Sequence, residues 1–154
     1  MRLTKRSNIS MRVLMFCGIN DGRLVTKSEI AEACNTSENH LAQVINRLSQ
    51  LSFLHTQRGR NGGMRLSRPM SEIMVGDVFR AIESGVPITE CFDAQENTCP
   101  LIDVCRLRGV IARATDAFYA VMDKVTLDEL ICENDGLSAL LSMPLSCDRR
   151  GTVA

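Results

Sequence analysis

The sequence predicts a mainly α-helical protein with a small β-hairpin wing, that is, a winged helix-turn-helix followed by a long dimerisation helix. Three observations lead to this fold class. Two short, capped helical segments are separated by a three-residue polar turn, a glycine-rich hairpin follows them, and an apolar repeat in steps of three and four residues comes later. Such a helix pair is the helix-turn-helix signature, and the repeat indicates a helix that packs along another helix.

The first two helices are indicated by apolar spacing and capping residues. The first is expected from about Thr4 to Cys17, because the Asn-Asp-Gly turn at residues 20–22 ends it. Thr26 and Glu29 have the spacing of a capping box, in which each residue satisfies a free backbone N–H at the start of a helix. This pattern predicts that the second helix begins just after Thr26.

The third helix is expected from Glu38 to Gln50, with Ser37 as its N-cap. Its apolar residues fall on one face, which leaves the opposite face polar. Asn and Gln on such a face can pair with adenine through two hydrogen bonds, and a helix N-terminus favours phosphate. The candidate DNA-binding residues of this region are Ser37, Asn39, His40, Gln43, Asn46 and Arg47.

A wing is predicted directly after the third helix. Two short apolar segments flank the sequence R-G-R-N-G-G, whose glycines permit positive φ and therefore a tight hairpin. Arg58, Arg60 and Asn61 would lie at its tip and contact DNA phosphates or the minor groove. A phosphate-binding loop of nucleotide enzymes is disfavoured, because no Lys-Ser or Lys-Thr pair follows and no helix opens there.

The later apolar repeat predicts a long helix after Pro100. A second capping box, formed by Thr126 and Glu129, predicts a short helix that follows it. The repeat consists of Val104, Leu107, Ile111, Ala114, Phe118, Val121 and Val125. This seam could pack on its own domain or on a partner helix; a dimer is favoured, because paired DNA half-sites require two-fold symmetry. We expect a winged domain over 1–83, a cysteine loop over 84–106, the dimerisation helix and a short helix over 107–135, and a flexible tail over 136–154.

Charge is segregated along a chain whose formal net charge is zero. Residues 1–69 carry eleven Lys and Arg against four Asp and Glu, and residues 70–154 carry seven against fourteen. A basic half that can meet phosphates is therefore joined to an acidic half. The 154-residue chain has no run of eighteen apolar residues and no signal-peptide core, so we expect a cytoplasmic protein with reduced thiols and no membrane partner.

Three of the seven cysteines share one acidic loop, C-F-D-A-Q-E-N-T-C-P-L-I-D-V-C, from Cys91 through Cys99 to Cys105. Thiolates clustered in this way indicate a metal or iron–sulfur site, although the spacing does not fit a zinc knuckle. Three thiolates leave a fourth ligand or an open position. Cys17, Cys34 and Cys132 lie within apolar helical segments and are expected to be buried, and Cys147 lies in the tail.

These segments together resemble the Rrf-two family of winged-helix regulators over nearly the whole chain. The resemblance rests on M-R-L-T-K, S-E-N-H-L-A-Q-V-I-N-R-L, R-G-R-N-G-G-M-R-L, V-G-D-V-F-R-A-I-E, the three loop cysteines and A-F-Y-A-V-M-D-K-V-T-L-D-E-L. It implies a homodimer that binds an iron–sulfur cluster through Cys91, Cys99 and Cys105 and controls promoters. A 4Fe-4S cluster is the first expectation and a 2Fe-2S cluster the second.

Within that family the pattern most resembles the NsrR group, whose members release DNA when nitric oxide attacks their cluster, and next the iron-responsive RirA group. The histidine ligand of the IscR group would fall on Arg108, which cannot ligate a metal. The aspartate that some NsrR proteins supply from the partner subunit falls on Asn8. The fourth ligand is therefore left open among Asn8 of the partner subunit, water, Glu90 and Asp93.

The combined expectation is a transcriptional repressor that binds double-stranded operator DNA as a homodimer and senses nitric oxide through its cluster. Three alternatives stay open: a regulator that responds to iron or cluster status, a metal-free regulator with a Cys91–Cys105 disulfide switch, and a cluster carrier that leaves the basic half unused. No enzyme is expected, because both histidines, His40 and His55, lie in the DNA-binding half without a nucleophile–base arrangement.

Overall fold

The structure is a computed structural model that describes residues 3–85 and 87–142. As predicted, the described chain is mainly helical and has one two-stranded antiparallel hairpin. The elements are α1 (Lys5–Ile19), α2 (Lys27–Ala33), α3 (Glu38–Gln50), β1 (Leu54–Gln57), β2 (Gly63–Leu66), α4 (Val75–Glu83), α5 (Arg106–Met122), α6 (Leu127–Ile131) and α7 (Asp135–Leu141), with 3₁₀ turns at Met70–Glu72 and Glu90–Phe92. No helix in the described ranges has the length and apolar character needed to cross a membrane.

Helix α1 lies at the centre of the fold and contacts α3, α4, α6, α7 and β2. Its side chains Leu14 and Phe16 are fully buried, as are Ile30 of α2 and Leu41 of α3. Complete burial of one such side chain contributes about 1.5–3 kcal/mol relative to its exposure to water. Because α3 packs on α1 and on α2, its orientation is set by this core.

The helix starts follow the capping pattern in the sequence. Thr26 and Glu29 form the predicted capping box, with Thr26 Oγ1 accepting from the Glu29 amide at 3.3 Å. Helix α3 has the predicted bounds, and Ser37 is its N-cap residue, but the Ser37 side chain makes no capping hydrogen bond. The first amides of α3 therefore have no side-chain cap from this serine.

The wing is held against the helices by a short bridge from the segment before α2. Val25 and Met64 exchange two backbone hydrogen bonds, of 2.9 and 2.8 Å. Gly63 precedes Met64, and a Cβ there would lie 2.7 Å from the Val25 carbonyl oxygen. A glycine is therefore needed where the wing crosses this segment, and the bridge fixes the direction in which the hairpin projects.

The N-terminus of α1 is clamped by Glu83 at the end of α4. The Glu83 carboxylate accepts from the Thr4 amide at 2.8 Å, from the Thr4 hydroxyl at 2.9 Å and from the Ser7 hydroxyl at 2.5 Å. Partial burial raises the pKa of Glu83, but the bonds from Ser7 and Thr4 outweigh it and hold that pKa below its usual range. Because α1 has no acidic residue in its first turn, Glu83 supplies the negative charge that a helix N-terminus favours.

Two expectations for the second half of the chain are corrected. The long helix was expected directly after Pro100, but α5 begins at Arg106, after a turn over residues 101–104. The flexible tail was expected from residue 136, but α7 occupies Asp135–Leu141, and Leu141 is buried. The Leu141 carbonyl also accepts a 3.1 Å hydrogen bond from Asn20 Nδ2. Residues 143–154, including Cys147, lie outside the described residues.

Candidate nucleic-acid interface and cysteine loop

Helix α3 separates a buried apolar face from an exposed polar face. Its buried residues are Leu41, Val44, Ile45 and Leu48. All six residues predicted to bind DNA in this region are exposed: Ser37, Asn39, His40, Gln43, Asn46 and Arg47. Exposed polar side chains on an amphipathic helix can contact another molecule, so α3 has the surface that a recognition helix needs.

Arg47 differs from the other five residues because the structure gives it a partner within the protein. Its Nη2 atom lies 3.4 Å from the Ala81 carbonyl oxygen and 3.3 Å from Ser84 Oγ, both at the end of α4. The Ser84 hydroxyl itself donates to the Ala81 carbonyl at 2.9 Å. Arg47 therefore joins the recognition helix to the point where the cysteine loop begins.

The wing presents its predicted residues at the tip, where Arg58, Arg60 and Asn61 are all exposed. The turn contains Gly59 with φ of +113°, a conformation that a side chain with a Cβ rarely adopts. Three exposed polar or cationic side chains on one tight turn suit contact with a phosphate backbone.

Two exposed arginines near this surface were missed by the sequence reasoning. Arg12 of α1 donates to the Cys34 carbonyl at 3.0 Å and, with His40, lines a groove of about 640 Å³. Arg65 lies on the exposed face of the wing, directly across from His55. The basic charge of residues 1–69 could have pointed to both arginines, but only the fold shows which cations lie near α3 and the wing.

The loop cysteines are three free thiols, all half-buried, at different places between α4 and α5. Cys91 lies in the 3₁₀ turn with its Sγ 3.1 Å from Thr89 Oγ1, and its carbonyl accepts a 3.1 Å hydrogen bond from Arg108 Nε. The Cys99 amide donates to Asn97 Oδ1 at 3.2 Å. Cys105 is the N-cap residue of α5. Movement of Cys105 would therefore move the start of α5.

The donor chemistry of this loop fits an iron–sulfur cluster, because thiolates are the usual ligands of such clusters. Over residues 3–85 and 87–142, however, no three His, Cys, Asp or Glu side chains are gathered closely enough to hold a metal ion. Binding of all three thiols to one cluster would therefore draw the loop together. Whether these residues bind a cluster stays a prediction.

The candidates for a fourth ligand differ in their availability. Asn8 is exposed on α1 and lines the same groove as Arg12. Asp93 is already engaged, since its Oδ1 accepts from the amides of Gln95 and Glu96 at 2.8 and 3.1 Å. Glu90 is exposed. The carboxylate of Asp93 is thus the less available of the two acidic candidates.

The other described cysteines are poor thiolates. Burial raises the pKa of Cys17 to about 12 and also raises the pKa of Cys34. Cys132, expected to be buried, is exposed, and its thiol donates to Asp128 Oδ1 at 3.2 Å, which raises the pKa of Cys132. Its neighbour Ile131 points into the core instead, so the expectation failed by one position on a short helix.

The apolar seam predicted along α5 packs only in part within the subunit. Phe118 contacts Phe79 of α4 with ring centroids 6.5 Å apart, and Val125 packs against the core. Other positions on the helix and on the turn before it expose large apolar side chains, namely Leu101 (58%), Val104 (79%), Leu107 (63%), Val110 (49%) and Val121 (64%). No side chain of α5 is fully buried.

An amphipathic helix with an exposed polar face, an adjoining wing and exposed arginines near both define the class: a winged-helix transcriptional regulator. The chain belongs to the Rrf2 family, the Rrf-two family of the sequence analysis, because residues 3–133 match the model described as "Iron-dependent Transcriptional regulator". This confirms the family resemblance. The relatives are named as transcriptional regulators, which are not enzymes, and this agrees with the prediction that the chain is not an enzyme.

The chain is similar to curated proteins over almost its full length. It is 42% identical to the HTH-type transcriptional regulator NsrR of Bacillus subtilis, over 93% of this chain and 99% of that protein. It is 40% identical to Protein aau3 of Rhizobium meliloti, over 93% of both chains. Among solved structures, the oxidized form of Staphylococcus aureus CymR matches with a TM-score of 0.67 and 24% identity, over 86% of this chain and 97% of that one. The last match supports the fold alone.

Proposed function

We propose that this chain is a cytoplasmic, homodimeric repressor whose iron–sulfur cluster, held by Cys91, Cys99 and Cys105, senses nitric oxide and controls operator binding. The observation that carries the proposal is the position of the cysteine loop. It leaves α4 beside the contacts of Arg47 and enters α5 at Cys105. A change in this loop therefore reaches both the recognition helix and the helix with the unpartnered apolar seam.

DNA recognition follows from the two exposed surfaces described above. Asn39, Gln43 and Asn46 on α3 can pair with base edges in the major groove, adenine in particular, whereas Ser37, His40 and Arg47 lie beside them. In the wing, Arg58, Arg60 and Asn61 would contact phosphates or the minor groove. Base contacts supply sequence specificity, and phosphate contacts supply affinity that falls as salt rises.

Dimerisation is supported by the exposed part of the α5 seam. Its apolar side chains recur in steps of three and four residues, the pattern of two helices packed side by side. A single subunit leaves these side chains in water, and a second copy of the chain would cover them. A two-fold dimer also places two recognition helices against two inverted half-sites, one turn of DNA apart.

The sensing step is proposed to act through the geometry of the loop. A bound iron–sulfur cluster would supply iron that reacts with nitric oxide, together with bonds that hold the three thiols in one place. With the thiols gathered, Cys91 and Cys105 fix the start of α5 relative to the end of α4. With the thiols released, the loop relaxes, and the dimer shifts toward arrangements in which the two recognition helices no longer match the half-sites.

A second candidate signal is iron itself. The description of the matching family model, "Iron-dependent Transcriptional regulator", favours a regulator that responds to iron or cluster status. A metal-free regulator that uses a Cys91–Cys105 disulfide is a further alternative, because all three loop thiols are free. Both alternatives use the same loop, and they differ in what causes it to change.

The deciding experiment follows colour and DNA binding together. Protein purified without oxygen is titrated with nitric oxide while visible absorption, circular dichroism and binding to a duplex selected from a random library are recorded. Bleaching at a few equivalents, with DNA release in step, is expected. Colour that resists nitric oxide but disappears with an iron chelator, with release of DNA, would favour iron sensing, and colourless protein with oxidation-dependent binding would refute the cluster.

Two cysteine variants sharpen this test. Cys99→Ala should remove most of the colour and the response to nitric oxide. Cys132→Ala is the matched control, because this exposed cysteine lies outside the loop, and it should keep both. If Cys99→Ala binds DNA as tightly and as insensitively to nitric oxide as the intact coloured protein, the proposed coupling is wrong.

A further inference from the structure

The helix α5 is attached to the winged domain at its C-terminal end. There the chain returns to the core through two backbone hydrogen bonds, from the Val75 amide to the Val125 carbonyl at 2.9 Å and from the Leu127 amide to the Ile73 carbonyl at 2.8 Å. Toward the other end, Leu107 is largely exposed. Near that end Arg108 contacts the cysteine loop instead, at the Cys91 carbonyl, so the helix acts as a lever whose attachment to the core is at its C-terminal end.

One side chain, Arg80 of α4, holds this lever near its fixed end. Its two terminal nitrogens donate to the two carboxylate oxygens of Asp123, at 2.5 and 2.6 Å. Its guanidinium carbon also lies 4.3 Å from the centroid of the Tyr119 ring. The planar guanidinium is therefore held in one orientation by two partners, Tyr119 on α5 and Asp123 at its C-cap. Through these two contacts, Arg80 fixes the orientation of the end of α5 relative to α4.

The surface of α4 is shaped to receive this carboxylate. Gly76 lies one turn before Arg80, and a Cβ at Gly76 would overlap the Asp123 side chain. The hydrogen bonds from Arg80 hold the pKa of Asp123 below its usual range, so the carboxylate is charged at neutral pH. A second acid, Asp77, lies 3.9 Å from Arg80 on α4 itself, so the charge of Arg80 is shared but its paired, two-bond contact is with Asp123.

We propose that Arg80 is a positioning residue: through Asp123 and Tyr119 it fixes the angle between α5 and the winged domain, and so sets the half-site spacing that the dimer accepts. The inference rests on the proposed DNA-binding dimer. It goes beyond that proposal, because it assigns spacing specificity to a side chain outside the recognition helix, the wing and the cysteine loop.

The length of α5 makes this angle important. Seventeen residues at a rise of 1.5 Å give a helix of about 25 Å. In a two-fold dimer both helices tilt, so a tilt of about 4° in each subunit moves the two N-terminal ends by about 3.4 Å in total, which is one base-pair step of DNA. A small error at Arg80 is thus enough to change the preferred spacing by one base pair.

The test is selection of duplexes from a random-sequence library by the intact protein and by its variants. The intact protein should return inverted half-sites at one dominant spacing. Arg80→Gln and Asp123→Asn, which remove the paired bonds from opposite sides, should each return the same half-site sequence at several spacings. In binding assays, a change of one base pair should cost the intact protein about tenfold in affinity and Arg80→Gln about threefold or less.

Arg113→Gln is the matched control, since Arg113 is an exposed arginine on α5, ten residues before Asp123, and should keep the single spacing. Circular dichroism and sedimentation confirm that each variant is folded and dimeric, and Asp123→Asn decides the matter if Arg80→Gln does not fold. One unchanged spacing in both variants would overturn the inference. If the intact protein selects only single half-sites, the dimeric operator fails first, and the spacing role fails with it.

Discussion

Replacement of Leu107 by alanine should weaken the dimer while leaving the subunit folded. Leu107 is 63% exposed in one subunit, and alanine has three fewer carbon atoms. At about 0.8 kcal/mol for each buried carbon, full burial of the difference is worth about 2.4 kcal/mol. Covering the exposed fraction is then worth about 1.5 kcal/mol in each subunit, or about 3 kcal/mol in a two-fold dimer.

A loss of about 3 kcal/mol raises the dissociation constant of the dimer roughly 150-fold. The assay is sedimentation equilibrium over a dilution series, with thermal unfolding measured at a concentration where both proteins are monomeric. The control is Leu140→Ala, because Leu140 is 78% exposed but lies on α7, outside the seam. An unchanged dissociation constant for Leu107→Ala, or an equal loss for Leu140→Ala, would refute the assignment of the seam to the dimer.

Three further predictions test the fold and the DNA surface. Glu83→Gln should lower the free energy of unfolding by about 1 kcal/mol at neutral pH. Because the pKa of Glu83 is lowered in the folded state, the stability difference between the two proteins should vanish in urea titrations as the pH falls below 4.5 and through that lowered pKa. Gly76→Ala should destabilise the protein by about 1–3 kcal/mol, because the added Cβ would overlap the Asp123 side chain. Gly109→Ala, on the exposed part of α5, should stabilise it by about 0.5–1 kcal/mol. Urea unfolding that shifts the stability of both variants in the same direction would contradict the described packing. Arg58→Gln should reduce the slope of log affinity against log salt by about 0.9, and Arg113→Gln should leave it unchanged in fluorescence anisotropy.

The winged domain could be predicted from the sequence because its signals are local. The bounds of α3 follow from Ser37 and from the apolar spacing within one helix, and the wing follows from a glycine-rich turn between two short apolar segments. The predicted DNA-binding residues on α3 are exposed for the same reason: helical periodicity places them opposite a buried face. Local rules of this kind require no knowledge of distant residues.

The remaining features depend on residues far apart in sequence. The hydrogen bonds that Thr4 and Ser7 donate to Glu83 join positions more than seventy residues apart, and nothing near Glu83 indicates its partners. The contact of Arg47 with Ser84 is of the same kind. The start of α5 was predicted too early for a local reason. Residues 101–104 form a turn, but their apolar residues continue the spacing of the helix that follows.

The return of the chain to the core after α5 has a consequence for how the protein is made. Leu127 and Ile131 of α6 are buried against α1, so the core that orients the recognition helix is completed by residues that follow the cysteine loop. During synthesis, the three loop thiols must leave the ribosome before that core can close. A chain that ended within the cysteine loop would therefore lack part of the core against which α1 packs.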